Sequence, residues 1–317
     1  MNRVQKICIT VCTLGRPEML RRCLASLVGQ KVPAGYSAVI IVVDNDQSRS
    51  AQSVVDDFQD ESGVRLHYEM ESERGIPFAR NRALDTALKM GADWIAFIDD
   101  DEVAEAGWVE AYCAAVREYG AEIFMGPVRY EYPPETPSWM MREGKHCSET
   151  GACLDQVYTY NTFMRADIAA PDGLGLRFDE RLRYTGGSDK AYFSEALRFG
   201  RTAAFVKAAI VREEVPRSRV TLKWQYERTM RVNAHNARMR VEQKGAFRAY
   251  AGLSLRCIER FAKAAILLTA AALLYPVNRE KSGAFFYSAI RKIAQTEGDI
   301  RGVLDKLPEP YRRIDGH

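Results

Sequence analysis

Three aspartates stand side by side at Asp99-Asp100-Asp101, with Glu102 next to them. Adjacent carboxylates repel one another, and the cost rises in a partly desolvated crevice. A divalent cation removes that cost, and hard oxygen donors suit Mg²⁺ or Mn²⁺. A cation held by few protein carboxylates usually also takes phosphate oxygens from a substrate. Other residues suit such a substrate: Asp44 as an acceptor for a base or ribose, Arg80 facing a diphosphate, and Thr13 and Arg16 nearby. Asp189 follows Gly186-Gly187-Ser188 and opens a helix, where the dipole favours an ionised carboxylate. That position suits a helix cap or a general base.

These residues need elements that bring them together. Residues 4–12, 39–43, 64–70 and 94–98 read as strands, with apolar or β-branched runs that stop at polar ends. Helical spacing recurs over 17–30, over 51–60 and from Pro77 onward. The alternation predicts an α/β fold with a mostly parallel central sheet flanked by helices. In such sheets the ligand crevice lies beyond the carboxyl ends of the strands. Thr13, Arg16, Asp44, Asp46 and the aspartate triplet all fall at those ends. Further strands are expected at 121–132, 158–165 and 203–211, and a helix at 189–199.

Composition excludes other classes. The chain has 317 residues, 47% of them hydrophobic, enough apolar surface to offset chain entropy and exclude disorder as its main theme. Seven cysteines over this length make no disulfide scaffold, and Cys8, Cys12 and Cys23 read as small buried hydrophobes of a reducing compartment. His146, Cys147 and Cys153 fit no usual zinc spacing. No GxxxxGK[ST] loop exists, and no GxGxxG follows the first strand. No signal peptide is recognisable at the start, so a cytoplasmic setting is expected.

The motifs in combination resemble a known family. Residues 11–17 (VCTLGRP), Val43-Asp44-Asn45-Asp46, Ala79-Arg80-Asn81 and residues 97–102 (FIDDDE) match, in order and spacing, the family 2 glycosyltransferases of GT-A fold. The resemblance implies a UDP-sugar donor. Asp44 would contact the uracil with Thr13 lining the same pocket, Arg80 would lie near the diphosphate, and Asp100 would contact the ribose. Arg16 and Asp99 belong to the same donor-binding group, and Asp101 would bind the metal that bridges the phosphates. Asp189 would be the general base, with Ser188 standing where the family commonly has Glu. Some relatives place a metal-binding His near Arg212; here that position has none. Residues 125–129 (MGPVR), Trp139-Met140, Val215-Pro216 and Trp224 further resemble bacterial succinoglycan-biosynthesis glucosyltransferases, which extend a lipid-diphosphate-linked oligosaccharide at the cytoplasmic membrane face.

Net charge conceals a division. Residues 1–200 carry 22 Lys/Arg against 31 Asp/Glu, and residues 201–317 carry 23 against 11. The expected organisation is a GT-A domain over 1–215, with a nucleotide-sugar half (1–102) and an acceptor and base half (103–215). A basic and apolar helical region follows over 216–317. No nucleic-acid-binding signature accompanies the basic charge, whereas an anionic inner-membrane surface suits it. Residues 261–277 are apolar except for Lys263 and Thr269, at the short limit for crossing a bilayer. They suit a buried core helix or an interfacial one better than a spanning one, which makes the enzyme peripheral at the inner face of the membrane. The other readings are a nucleotidyltransferase on a similar sheet, which would need a glycine-rich first loop, and a non-catalytic module binding an anionic surface.

Overall fold

The computed structural model describes residues 3–61, 65–141, 149–244 and 246–306. The chain begins with four strands alternating with three helices: β1 (Gln5–Thr13), α1 (Pro17–Val28), β2 (Tyr36–Asp44), α2 (Gln52–Glu61), β3 (Leu66–Met70), α3 (Ile76–Lys89) and β4 (Trp94–Asp99). The short β5 (Glu102–Ala104) and α4 (Trp108–Glu118) follow. Strand alternation divides the core into two layers. Ile7, Ile9 and Val11 of β1 join one with α1 and α4, while Cys8 joins the other with Ala79, Ala83 and Leu84 of α3. Burial on both faces is what a parallel sheet under helical crossovers demands.

The remainder of this unit comprises β6 (Ile123–Met125), β7 (Val128–Glu131), β8 (Thr162–Arg165), α5 (Ser188–Arg198), β9 (Ala203–Phe205) and β10 (Val211–Glu214). The main sheet has the order β3-β2-β1-β4-β8-β6-β9, with β8 antiparallel to both β4 and β6 and the other pairs parallel. A second sheet has the order β5-β10-β7. The register sets Thr13 beside Asp44 and Cys12 beside Asp99, so three strand ends finish in one row.

Two expected strands are each split in the structure. Residues 121–132 form β6 in the main sheet and β7 in the small one, because Gly126-Pro127 interrupts the ladder. Pro127 has no N–H, and its carbonyl instead accepts from Asn161 Nδ2 at 2.8 Å and Val211 N at 3.2 Å. A Cβ on Gly126 would lie 2.0 Å from the carbonyl oxygen of Ala209, so the close backbone approach requires glycine. Residues 203–211 divide in the same way into β9 and the start of β10, joined by the Val206–Ala209 turn. The strand expected at 158–165 shortens to β8 because Asn161 takes φ +48°, a left-handed conformation that breaks the pleat.

The chain divides into two compact units, one of residues 3–130 with 149–214, the other of 131–141 with 215–306. The second is helical: α6 (Leu222–Lys244), α7 (Ala246–Leu274) and α8 (Arg279–Val303), with α8 packed against both others. Asn278 caps α8, its side chain accepting from Lys281 N at 2.9 Å. Asp299 of α8 is fully buried and accepts from Arg240 of α6 at 2.7 Å and from Arg256 and Arg260 of α7 at 3.2 and 3.1 Å. The apolar segment expected at 261–277 is therefore the second half of a longer helix. No helix among the described residues is long and apolar enough to cross a membrane.

His146 and Cys147 lie outside the described residues. Cys153 is exposed, and the thiols of Cys8, Cys23 and Cys113 are free and buried.

Candidate active site

The carboxyl ends of β1, β2 and β4 carry most of the candidate residues. Thr13, the last residue of β1, donates its hydroxyl to Asp100 Oδ2 at 2.7 Å. Arg16, just before α1, places Nη1 at 3.3 Å from Asp100 Oδ1 and 3.9 Å from Asp101 Oδ2. Arg80 reaches back from α3, its Nη2 at 3.6 Å from Asp99 Oδ1 and its guanidinium over the Phe178 ring at 5.7 Å. Of the sequence-predicted residues, Thr13, Arg16, Asp100 and Asp101 thus form one contact network, and Arg80 pairs with the adjoining Asp99.

The network is short of positive charge. Burial and then the neighbouring Asp101 push Asp100 up to about 7, against Arg16 and the Thr13 hydrogen bond. Desolvation raises Asp99; Arg80 opposes it, and the charges of Asp101 and Asp189 add to the rise. Glu102 is buried and raised well above the ordinary range by desolvation, with Asp99 contributing. Its Oε2 accepts from the Asp99 amide at 2.9 Å, while Oε1 is buried without a partner. Such an oxygen-rich, over-acidic edge has the chemistry for a hard divalent cation. Among the described residues no group of three His, Cys, Asp or Glu side chains forms a ready ligand set. A cation here would therefore rely on Asp101 together with oxygens of a substrate or water.

Asp44 is placed differently from its neighbours. It is fully buried, with Oδ1 accepting from Asp46 N at 3.0 Å and Oδ2 from Ala51 N at 2.9 Å and the Tyr68 hydroxyl at 3.1 Å. Its carboxylate braces the loop after β2. That loop is tied across the crevice edge by Asn45, which donates to the carbonyls of Glu71 and Glu73 and accepts from Gly75 N at 2.7 Å.

Asp189 lies in the first turn of α5, behind Gly186 and Gly187 at φ +79° and +84°. Its charge is felt at Asp99 and, after burial and two tyrosines, at Tyr160, which connects it electrostatically to the aspartate edge. Ser188 is buried with its hydroxyl unpartnered. No acidic side chain occupies that position.

Several contributors carry roles that the sequence did not assign. Asn81 holds the segment before α5 by exchanging hydrogen bonds with the Phe178 backbone at 2.9 and 3.0 Å. Asn161 is fully buried and accepts from Trp108 and Tyr112 while donating to the carbonyls of Pro127 and Ala209. Arg74 carries buried Nε and Nη2 groups with no hydrogen-bond partner, next to the tied Gly75. Its place immediately before Gly75 was the only available signal. A cleft lined by Ile9, Leu27, Ala38, Ile40 and Arg65 opens around the amino-terminal and middle parts of the strands and contains none of these carboxylates.

Residues 8–177 match the family model described as Glycosyl transferase family 2. The chain is 33% identical over 278 residues, 87% of each chain, to the succinoglycan biosynthesis protein ExoM of Rhizobium meliloti (strain 1021). Among solved structures it resembles the mannosyltransferase PcManGT from Pyrobaculum calidifontis in complex with GDP-Man and Mn²⁺. That match has a TM-score of 0.57 and 17% identity, covering 95% of this chain and 87% of the other. S. aureus TarS 1–349 in complex with UDP aligns with a TM-score of 0.54 and 14% identity, covering 94% of this chain and 91% of the other. The fold is GT-A.

Proposed function

Since the chain belongs to glycosyltransferase family 2 and is a glycosyltransferase, we propose that it moves a sugar, with inversion, from a UDP-sugar to a lipid-diphosphate-linked oligosaccharide. UDP-glucose is the donor we assign. The observation that carries the reading is that Thr13 and Arg16 contact Asp100 and Asp101, and Arg80 contacts Asp99, at one sheet edge. The two-way coverage of a succinoglycan protein supports exopolysaccharide assembly and the lipid-linked acceptor.

In this reading Asp100 accepts from the ribose, and Arg16 and Arg80 face the diphosphate. Asp44 shapes the base pocket through the loop it braces, because its own oxygens are already engaged. Arg74 supplies a further guanidinium to the donor's oxygens. Asp99 holds Arg80 in place. Asp101 is the residue that would hold Mg²⁺ or Mn²⁺, which when bound neutralises charge on the donor diphosphate.

Asp189 takes the proton from the acceptor hydroxyl as its oxygen attacks the anomeric carbon. The sugar–phosphate bond breaks on the opposite face, which inverts the centre. Negative charge then grows on the departing diphosphate, where Arg16 and Arg80 are already positioned and need little reorganisation.

Thermal-shift measurements with UDP-, GDP- and dTDP-sugars, each with and without Mn²⁺, test the donor assignment. Preferential stabilisation by UDP-sugars is expected. Preference for a GDP- or dTDP-sugar would overturn it.

A further inference from the structure

Helix α7 packs one side against its neighbours and leaves the other open. Ala264 and Ala271 are buried, and Arg256 and Arg260 turn toward Asp299. On the opposite side Leu255, Ile258, Phe261, Ile266 and Leu273 are 54% to 72% exposed, and Val277 beyond the helix is 81% exposed. The steps from 255 through 258, 262, 266, 269 and 273 are each three or four residues, so the exposed positions form one continuous stripe. At ~1.5 Å per residue it extends for roughly 28 Å. Only Thr269 interrupts its apolar character, and the Glu259–Lys263 ion pair lies along one rim. An apolar strip of this size exposed to water marks an interaction surface.

Charge decides between occupants. Residues 215–306 contain 18 Lys/Arg against 7 Asp/Glu. A second copy docking through α7 would bring together two bodies of the same strong positive sign, whereas an anionic lipid surface would be attracted. Burial and the nearby charges of Arg260, Lys263 and Arg291 lower the Lys292 ammonium, so the positive field extends along the α7 and α8 pair. At the end of the stripe, the Arg279 guanidinium lies over the exposed Tyr275 ring at 5.5 Å, a pairing suited to a headgroup layer. α7 is not long and apolar enough to cross a membrane.

We infer that α7 is an in-plane membrane anchor whose Leu255-to-Val277 stripe enters the headgroup and acyl boundary of a bilayer rich in anionic phospholipid. The inference deepens the lipid-linked acceptor reading: it names the surface that would keep the enzyme where such acceptors reside.

Flotation of the full chain with phosphatidylcholine vesicles, with and without phosphatidylglycerol, tests it. The unmodified chain should float with the phosphatidylglycerol vesicles, and I258E/I266E/L273E should float at least about tenfold less, with the same circular dichroism and UDP-sugar hydrolysis. Ile266→Trp, which keeps the surface apolar, should add a blue-shifted indole emission on those vesicles that the unmodified chain lacks. Absence of flotation, equal flotation of the triple variant, or no added blue-shifted emission from the Ile266→Trp variant would overturn the inference. So would a dimer in sedimentation that the triple variant converts to monomer, since the stripe would then be covered by a second copy. Vesicle binding requires no donor, so failure of the UDP-sugar assignment and failure of the anchor give separate signals.

Discussion

The catalytic unit and the helical unit each bury carboxylates among arginines, in opposite proportions. At the strand ends Asp99, Asp100, Asp101 and Glu102 crowd together, with Arg16 and Arg80 in ion-pair reach of the aspartates. In the helical unit three arginines close on Asp299 alone. The first arrangement leaves negative charge uncompensated, shown by Asp100 rising to about 7 and by the orphaned Glu102 oxygen. The second leaves no carboxylate oxygen wanting a partner and pins three helices to one point. Excess charge at the first cluster thus signals a ligand, whereas saturation at the second signals architecture.

If that contrast is right, variants at the two places should fail in different ways. The largest effect is expected from Asp189→Asn, which should reduce turnover by ~10³-fold while donor affinity persists. Steady-state transfer assays with separate nucleotide-binding titrations check this, and near-normal turnover would remove Asp189 from the base role. Asp299→Ala should act on stability instead, costing about 3 kcal/mol in urea unfolding because three guanidinium groups lose a buried partner. Donor affinity per folded molecule should be unchanged; a large affinity loss would blur the two roles.

Arg74→Ala should weaken UDP-sugar binding by roughly tenfold without reducing stability, since its buried nitrogens have no partner to lose. An unfolding midpoint that drops while binding stays normal would make Arg74 structural. The smallest effect concerns a plain ion pair. Partial burial raises the Glu122 carboxyl, but the Arg201 hydrogen bond, the Thr202 amide and the charges of Arg201 and Arg165 more than offset this, and the net shift is downward. A lowered folded-state value means the pair stabilises above the ordinary carboxylate range and loses that contribution as pH falls through the lowered value. Glu122→Gln should therefore cost about 1 kcal/mol near neutrality and nothing in acid. A penalty unchanged in acid would contradict that linkage.

The sequence was most legible where strands are long and buried. β1, β2 and β4 announce themselves by unbroken apolar runs with polar ends, and those ends carry the triplet, Thr13 and Arg16. Short strands were less legible, because Gly126-Pro127 reads as part of a run until Asn161 and Ala209 are known to approach it. The extent of α7 was hidden too: Arg256 and Arg260 look like a polar interruption, and only Asp299, some 40 residues away, explains them. Asp44 is the instructive case at the site. Its place at a strand end could be read, but not that three donors already occupy its oxygens. How many of a carboxylate's acceptor sites are filled is a property of packing, invisible in a linear string.

The central claim is that the acidic edge is incomplete without a cation and a donor diphosphate. The direct measurement is UDP affinity by calorimetry with and without Mn²⁺, in the unmodified chain and in Asp101→Ala. Mn²⁺ should raise the affinity of the unmodified chain on the order of tenfold or more, and Asp101→Ala should abolish that increment. Equal affinity with and without Mn²⁺ in the unmodified chain, or an undiminished increment in Asp101→Ala, would contradict the account.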